Sequence, residues 1–215
     1  QNTNLKLNRK RPRRSTVPQT AEQDLTHSDR RQAMAQAREK LAENPIVAGV
    51  IRSCVENIVG TGFRLSMRTE NIEWNRAVEA SWTEAKDVLD IRAMRSWAGL
   101  QKLWWTRRFV DGDIGINCVS NGNLRLETIE ADRIYLNWND SRDVGIEFDS
   151  TGKPRQFFVG PRIPSAVTSG LKQPGNPISA QQFLYWPIFP GERAEQERGV
   201  SALLQSFNVI DDVEQ

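Results

Sequence analysis

A chain of 215 residues can bury a sizeable core, as one large domain or two small ones, and 38% hydrophobic with 26% charged residues is an ordinary globular composition. No apolar run approaches the ~18 residues that span a bilayer and nothing resembles a signal peptide, so no membrane partner is expected. The single histidine, His27, lies in a polar stretch, which excludes a zinc site built from Cys and His and leaves Ser-His-Asp or Cys-His chemistry without a supported base. The net charge of +2 conceals an asymmetry: Lys6, Arg9, Lys10, Arg11, Arg13 and Arg14 form a run of six cations without an acid, and the remainder sums to about −4.

Residues 1–27 carry Pro12 and Pro18 and no apolar period, the pattern of a flexible basic arm. Its six cations suit contact with nucleic acid or another acidic partner, and equally suit a solubilising tail. The chain opens on Gln1 rather than Met, so a natural start upstream is expected. Helical composition begins near Ser28, read as an N-cap, and runs rich in Ala, Gln, Arg and Glu to Glu43. Asn44-Pro45 breaks and restarts the helix. Val47, Val50, Ile51, Cys54, Val55 and Ile58 then form one stripe, ended by Gly60 and Gly62. A strand, Phe63–Met67, is expected to leave from that end. A further helix, about Asn71 to Lys86, sets Trp74, Val78 and Trp82 on one face, where core packing outweighs sugar or base stacking. The next, Ser96 to about Phe109, carries Trp97, Leu100, Leu103 and Trp104, with Trp105 off the stripe and facing a neighbouring element or another subunit.

After Gly112 the period changes to two. Ile114, Ile116 and Cys118 alternate up to an Asn121-Gly122 hairpin turn, and Leu124, Leu126 and Thr128 return. Both cysteines, Cys54 and Cys118, read as buried thiols rather than a disulfide. Ile134–Trp138 follows as a strand, and Val144–Phe148 with Gln156–Val159 as a second hairpin. Residues 160–177, with four prolines and three glycines, read as a long loop. Phe183–Phe189 is one more strand and Pro190–Gly199 a charged loop. Val200–Val213 returns to helical spacing and the chain stops inside it, as a truncated chain would. The fold class is therefore α+β: a helical part over 28–110, an antiparallel β-rich part over 111–199, and the start of a further helix over 200–215.

Six islands, in order over residues 28–215, resemble the portal proteins of tailed bacteriophages of the lambda type. They are REKLAENPIVAGVIRSCVENIVGTG at 38–62; the paired Trp74 and Trp82; VDGD at 110–113, with Asp113 in place of the family's Glu; IEADRI at 129–134; the GIEFD hairpin at 145–149 with Gly152 and Pro154; and ERGVS at 197–201. One departure is that a common histidine before the RG loop is replaced by Tyr185-Trp186, which bears on family subtype. The resemblance implies a wing-like part of a subunit in a closed ring, usually of about twelve copies. Such a ring sits at one vertex of the virion, is assembled in the host cytoplasm, passes double-stranded DNA inward and outward, and docks the terminase motor, the capsid and the head-tail connector.

No catalytic, metal-ligating or cofactor-binding residue is singled out, and no cofactor is expected. There is no GxxxxGK[ST], which agrees with a motor that hydrolyses ATP elsewhere. A heterologous ring needs two unlike faces on each subunit. Trp105 and the loop residues Glu192, Arg193, Glu197 and Arg198 are the interface candidates, although a solvated turn explains the loop as well. Two other function classes stand behind this one. A nucleic-acid-binding module would use the Lys6–Arg14 arm and bind DNA tightly and salt-sensitively. A carboxylate-dependent hydrolase would draw on Asp111, Asp113, Glu127 or Glu130; Asp111 and Asp113 flank a tight helix-to-strand turn, and turn chemistry already explains them.

Overall fold

The structure, a computed structural model, describes residues 20–21, 26–136, 143–162, 174–188, 193–194 and 196–207. The six cations of the basic arm, Glu192 and residues 208–215 lie outside the described residues; the described start of the expected last helix, 200–207, holds a 3-10 turn at Leu204–Ser206. The fold is α+β, and no helix among the described residues is long and apolar enough to cross a membrane.

Helix α1 spans His27–Glu43, and its cap, Thr26, lies two residues before the expected Ser28. Thr26 Oγ1 accepts from the Asp29 amide at 3.3 Å while the Thr26 amide donates to Asp29 Oδ2 at 3.1 Å, a capping box that buries His27 in the first turn. Asn44 ends α1 and caps α2 (Pro45–Val59), its side-chain oxygen accepting from Ile46 N at 2.9 Å and Val47 N at 3.1 Å. The buried stripe of α2 is narrower than its apolar pattern: Val47, Ile51, Val55 and Val59 face the core, whereas Val50 and Cys54 are exposed. Spacing by four keeps one row inward, and residues one position N-terminal to that row fall a hundred degrees away. Cys54 is thus a surface thiol, contrary to its expected burial. Cys118 is half-buried, and desolvation pushes its thiol up.

Residues 63–67, expected as a strand, form none. Helix α3 (Ile72–Ala85), capped by Asn71, buries none of its residues. Trp82 does meet Trp97 edge-on at 5.2 Å, but Trp74, 80° further round over eight residues, is 49% exposed and is not the core residue its spacing implied. Helix α4 (Trp97–Asp111) is the central rod. Capped by Ser96, it buries Leu100, Trp104 and Val110 and packs against α1, α2 and the first sheet.

Two antiparallel three-stranded sheets follow among the described residues. The first has order β2-β1-β6, with β1 Ile114–Asn121 and β2 Asn123–Glu130 closed by Gly122 at φ 83°, and β6 Phe183–Tyr185 on the other side of β1. The second has order β3-β4-β5, from Ile146–Phe148, Pro154–Val159 and Asn176–Ser179. Strand β5 occupies the end of the expected Pro-rich loop; Pro177 is tolerated because β5 is an edge strand. The expected strand at 134–138 follows a 3-10 turn at Ala131–Arg133 and reduces, in its described part 134–136, to a single bridge from Ile134 to Val159.

Three apolar clusters bind these elements. One lies between α1, α2 and α4, a second between α4 and the first sheet, and a third between the sheets, where Phe157 and Phe183 stack at 4.4 Å. Ile114, Ile129 and Ile134 are fully buried, each contributing about 2–3 kcal/mol by the area removed from water.

Candidate functional site

Where α4 ends, the two aspartates of VDGD turn inward instead of outward. Gly112 breaks α4 at φ 95°, a conformation open to glycine, and this swings Asp111 and Asp113 to opposite sides of the chain. Asp111 faces α1. Its carboxylate accepts from Arg38 Nε at 2.8 Å and Nη2 at 2.9 Å, a bidentate pair, with Arg107 at 3.8 Å. Arg38 Nη2 also reaches Asp132 at 2.7 Å and Glu130 at 3.4 Å. Burial works against the Arg38 charge, but Asp111 and then Asp132 outweigh it and hold the guanidinium above its ordinary pKa.

Asp113 faces the other way and is 1% exposed. Its Oδ2 accepts from Arg198 Nε at 2.7 Å, from the Tyr185 hydroxyl at 2.7 Å and from the Gly199 amide at 3.0 Å, and its Oδ1 accepts from Arg198 Nη2 at 3.1 Å. The rest of the Arg198 fork is spent on backbone. Nη1 donates to the Ile134 and Val144 carbonyls, both at 2.9 Å, and Nη2 to Ala131 at 3.0 Å. Every face of the guanidinium is therefore satisfied. Desolvation would lower its pKa, yet the Asp113 charge prevails and raises it.

The backbones cross as closely as the side chains do. A Cβ on Gly199 would stand 2.0 Å from the Gly112 carbonyl oxygen, and one on Gly112 would stand 2.4 Å from the Val200 carbonyl carbon. The Gly112 carbonyl accepts from Ile188 N at 2.7 Å, and Ala202 N donates to Phe109 at 2.9 Å, which threads the 198–202 segment against the end of α4. Two arginines thus bracket the IEADRI turn. Arg38 takes its carboxylates and Arg198 its carbonyls, so the helical layer and both sheets are joined at one junction.

Chemically this arrangement holds rather than reacts. Asp113 already accepts four hydrogen bonds, and three carboxylates converge on the Arg38 guanidinium, leaving neither free as a general base. Among the described residues no cluster of His, Cys, Asp and Glu could hold a metal ion. A recess of about 310 Å³ lies beside the junction, but its four arginines (Arg92, Arg95, Arg133, Arg162) are matched by Asp90, Glu127, Glu130 and Asp132, so no surplus charge selects an ion.

The interface candidates fare unequally. Arg198, expected on a surface loop, is 4% exposed and locked inside its own subunit, because an unpaired Asp113 at that depth would be prohibitive. Trp105 packs internally, edge-on to Trp186 at 4.5 Å and beside Phe109, with the Arg108 guanidinium over both indoles. Arg193 is exposed and Glu197 half-buried. Glu192 and the six cations of the arm lie outside the described residues. Glu127 pairs with Arg133 at 3.5 Å.

Tyr185 adds a hydroxyl donor to the carboxylate that Arg198 holds. Burial first, and the Asp113 charge second, push its hydroxyl well above the usual tyrosine range. A raised folded-state pKa gives stability that is full below pH 10 and drains as the pH climbs, since the unfolded chain sheds the proton first. Tyr185→Phe is expected to cost about 1–2 kcal/mol at pH 8. Wild type should lose that lead progressively above pH 10, which urea unfolding of both proteins will register.

Four of the six islands that resembled a known family meet here, through Arg38, through Asp111 and Asp113, through the 129–134 turn and through Arg198 with Gly199. No curated protein matches the chain. The family model described as "Phage portal protein, lambda family" matches residues 8–215, almost the whole length. The chain belongs to the lambda family of phage portal proteins.

Proposed function

We propose that this chain is a structural portal subunit that joins a closed ring of about twelve copies. The ring forms the channel for double-stranded DNA at a capsid vertex of the virion, is assembled in the host cytoplasm, and docks the terminase motor during packaging and the head-tail connector afterwards. The chain itself catalyses nothing and needs no cofactor. The observation that carries this reading is the junction itself. Arg38, Asp111, Asp113, Asp132 and Arg198 are spent in joining helices to sheets, which suits a rigid stave. The basic arm, Lys6 to Arg14, is assigned to contact with DNA or an acidic partner, and Arg193 and Glu197 remain candidates for subunit contact. Negative-stain imaging of the full-length protein tests the reading. Rings with a central hole are expected; a compact monomer at high concentration, or unaided turnover of a substrate, would sink it.

A further inference from the structure

Residues 63–85 form an excursion without a core. Helix α3 buries no residue, and Phe63, Leu65, Ile72 and Trp74 are 51%, 39%, 64% and 49% exposed. The excursion is tied down at its two ends only: by Gln101 and the Trp97 indole on the Phe63 backbone, and by Trp82 against Trp97. Between those points it bonds mainly to itself, Met67 N to Glu79 at 2.8 Å and Thr69 to Asn75. The amides of Arg64, Leu65 and Ser66 have no partner among the described residues. A helix of 14 residues is marginal on its own in water, so packing from outside the subunit is the missing stabiliser.

The same chain carries a second unpartnered apolar surface. On α2, Ile46 (63% exposed), Val50 (55%) and Cys54 stand one above another at spacings of four, on the face turned away from the core. From the ~150–250 Å² that large side chains offer, the two surfaces together leave on the order of 600 Å² of apolar area. That is about two thirds of the non-polar area in a standard interface of ~1,600 Å².

We infer that residues 63–85 are an arm that docks on the outer α2 stripe of a second copy of this chain. The inference rests on the ring reading and adds which two faces meet. One face is a coreless excursion and the other a helical stripe, the two unlike sides that a head-to-tail contact requires.

The native Cys54 makes the contact testable in the full-length protein. Glu73→Cys places a thiol on the arm beside Trp74, and treatment with a short bismaleimide should give a covalent ladder beyond dimer on a denaturing gel. Adding Cys54→Ser should erase the ladder. Separately, Val50→Asp and Trp74→Asp alter exposed positions; each should keep the wild-type far-UV spectrum and weaken self-association on the order of thirtyfold by sedimentation. A wild-type protein that assembles while both aspartate variants assemble equally well overturns the arm. So does a missing ladder, or one that survives loss of Cys54. A wild-type protein that never assembles overturns the ring reading, and the arm with it.

Discussion

Arg198→Ala is expected to destabilise the subunit by about 3–5 kcal/mol, measured by urea unfolding followed through tryptophan fluorescence. The magnitude follows from what the substitution strands. Asp113, 1% exposed, is left with only the Tyr185 hydroxyl and the Gly199 amide as partners. The carbonyls of Ala131, Ile134 and Val144 also lose a donor at depth. Asp113→Ala should cost a similar amount, for then the guanidinium is the stranded charge. Replacing both with apolar residues of like volume, Arg198→Met with Asp113→Leu, should recover a large part of the loss. The pair would then show strong coupling in a double-mutant cycle. A single-variant cost below about 1 kcal/mol would mean that water reaches the pair and that the junction is superficial.

Gly112→Ala should be more damaging still, more than about 4 kcal/mol, with soluble expression the first casualty. Two penalties coincide there. The φ of 95° strains any L side chain, and the added Cβ meets the Val200 backbone at 2.4–2.5 Å. Backbone cannot rotate away as a flexible side chain would. Gly122 separates the two terms: its φ of 83° is similar, but nothing lies within 4 Å of the site. Gly122→Ala should therefore cost only the conformational part, about 1–2 kcal/mol. Equal losses at the two positions, by the same unfolding measurement, would refute the steric account.

Local chemistry was readable in advance where it needed only neighbours. Asn44-Pro45 capped and restarted a helix as its side chain dictates, Gly60 and Gly62 ended one, and Asn121-Gly122 closed a hairpin. The junction was not readable in that way, because Asp113 and Arg198 are 85 positions apart and Arg38 and Asp132 are 94 apart. Nothing in spacing announces such a pair. The only signal was indirect: charged residues embedded in apolar runs at the islands shared with a family. Periodicity misled where a pattern was wider than the face that packs, as at Val50, Cys54 and Trp74. It was silent at β5, where Pro177 reads as loop until an edge position excuses it.

The distance in sequence between Asp113 and Arg198 also governs the order of events during folding. Closing a loop of 85 residues costs about 4 kcal/mol of chain entropy, so helices, the β1–β2 hairpin and other near-neighbour contacts form before it. The clasp at residues 198–202 should therefore be absent from the folding transition state. Substitutions there should leave the refolding rate nearly unchanged and raise the unfolding rate by almost the whole of their effect. What the clasp determines is thus chiefly the lifetime of the folded subunit, the quantity that matters most to a particle that must wait long and intact before it is used.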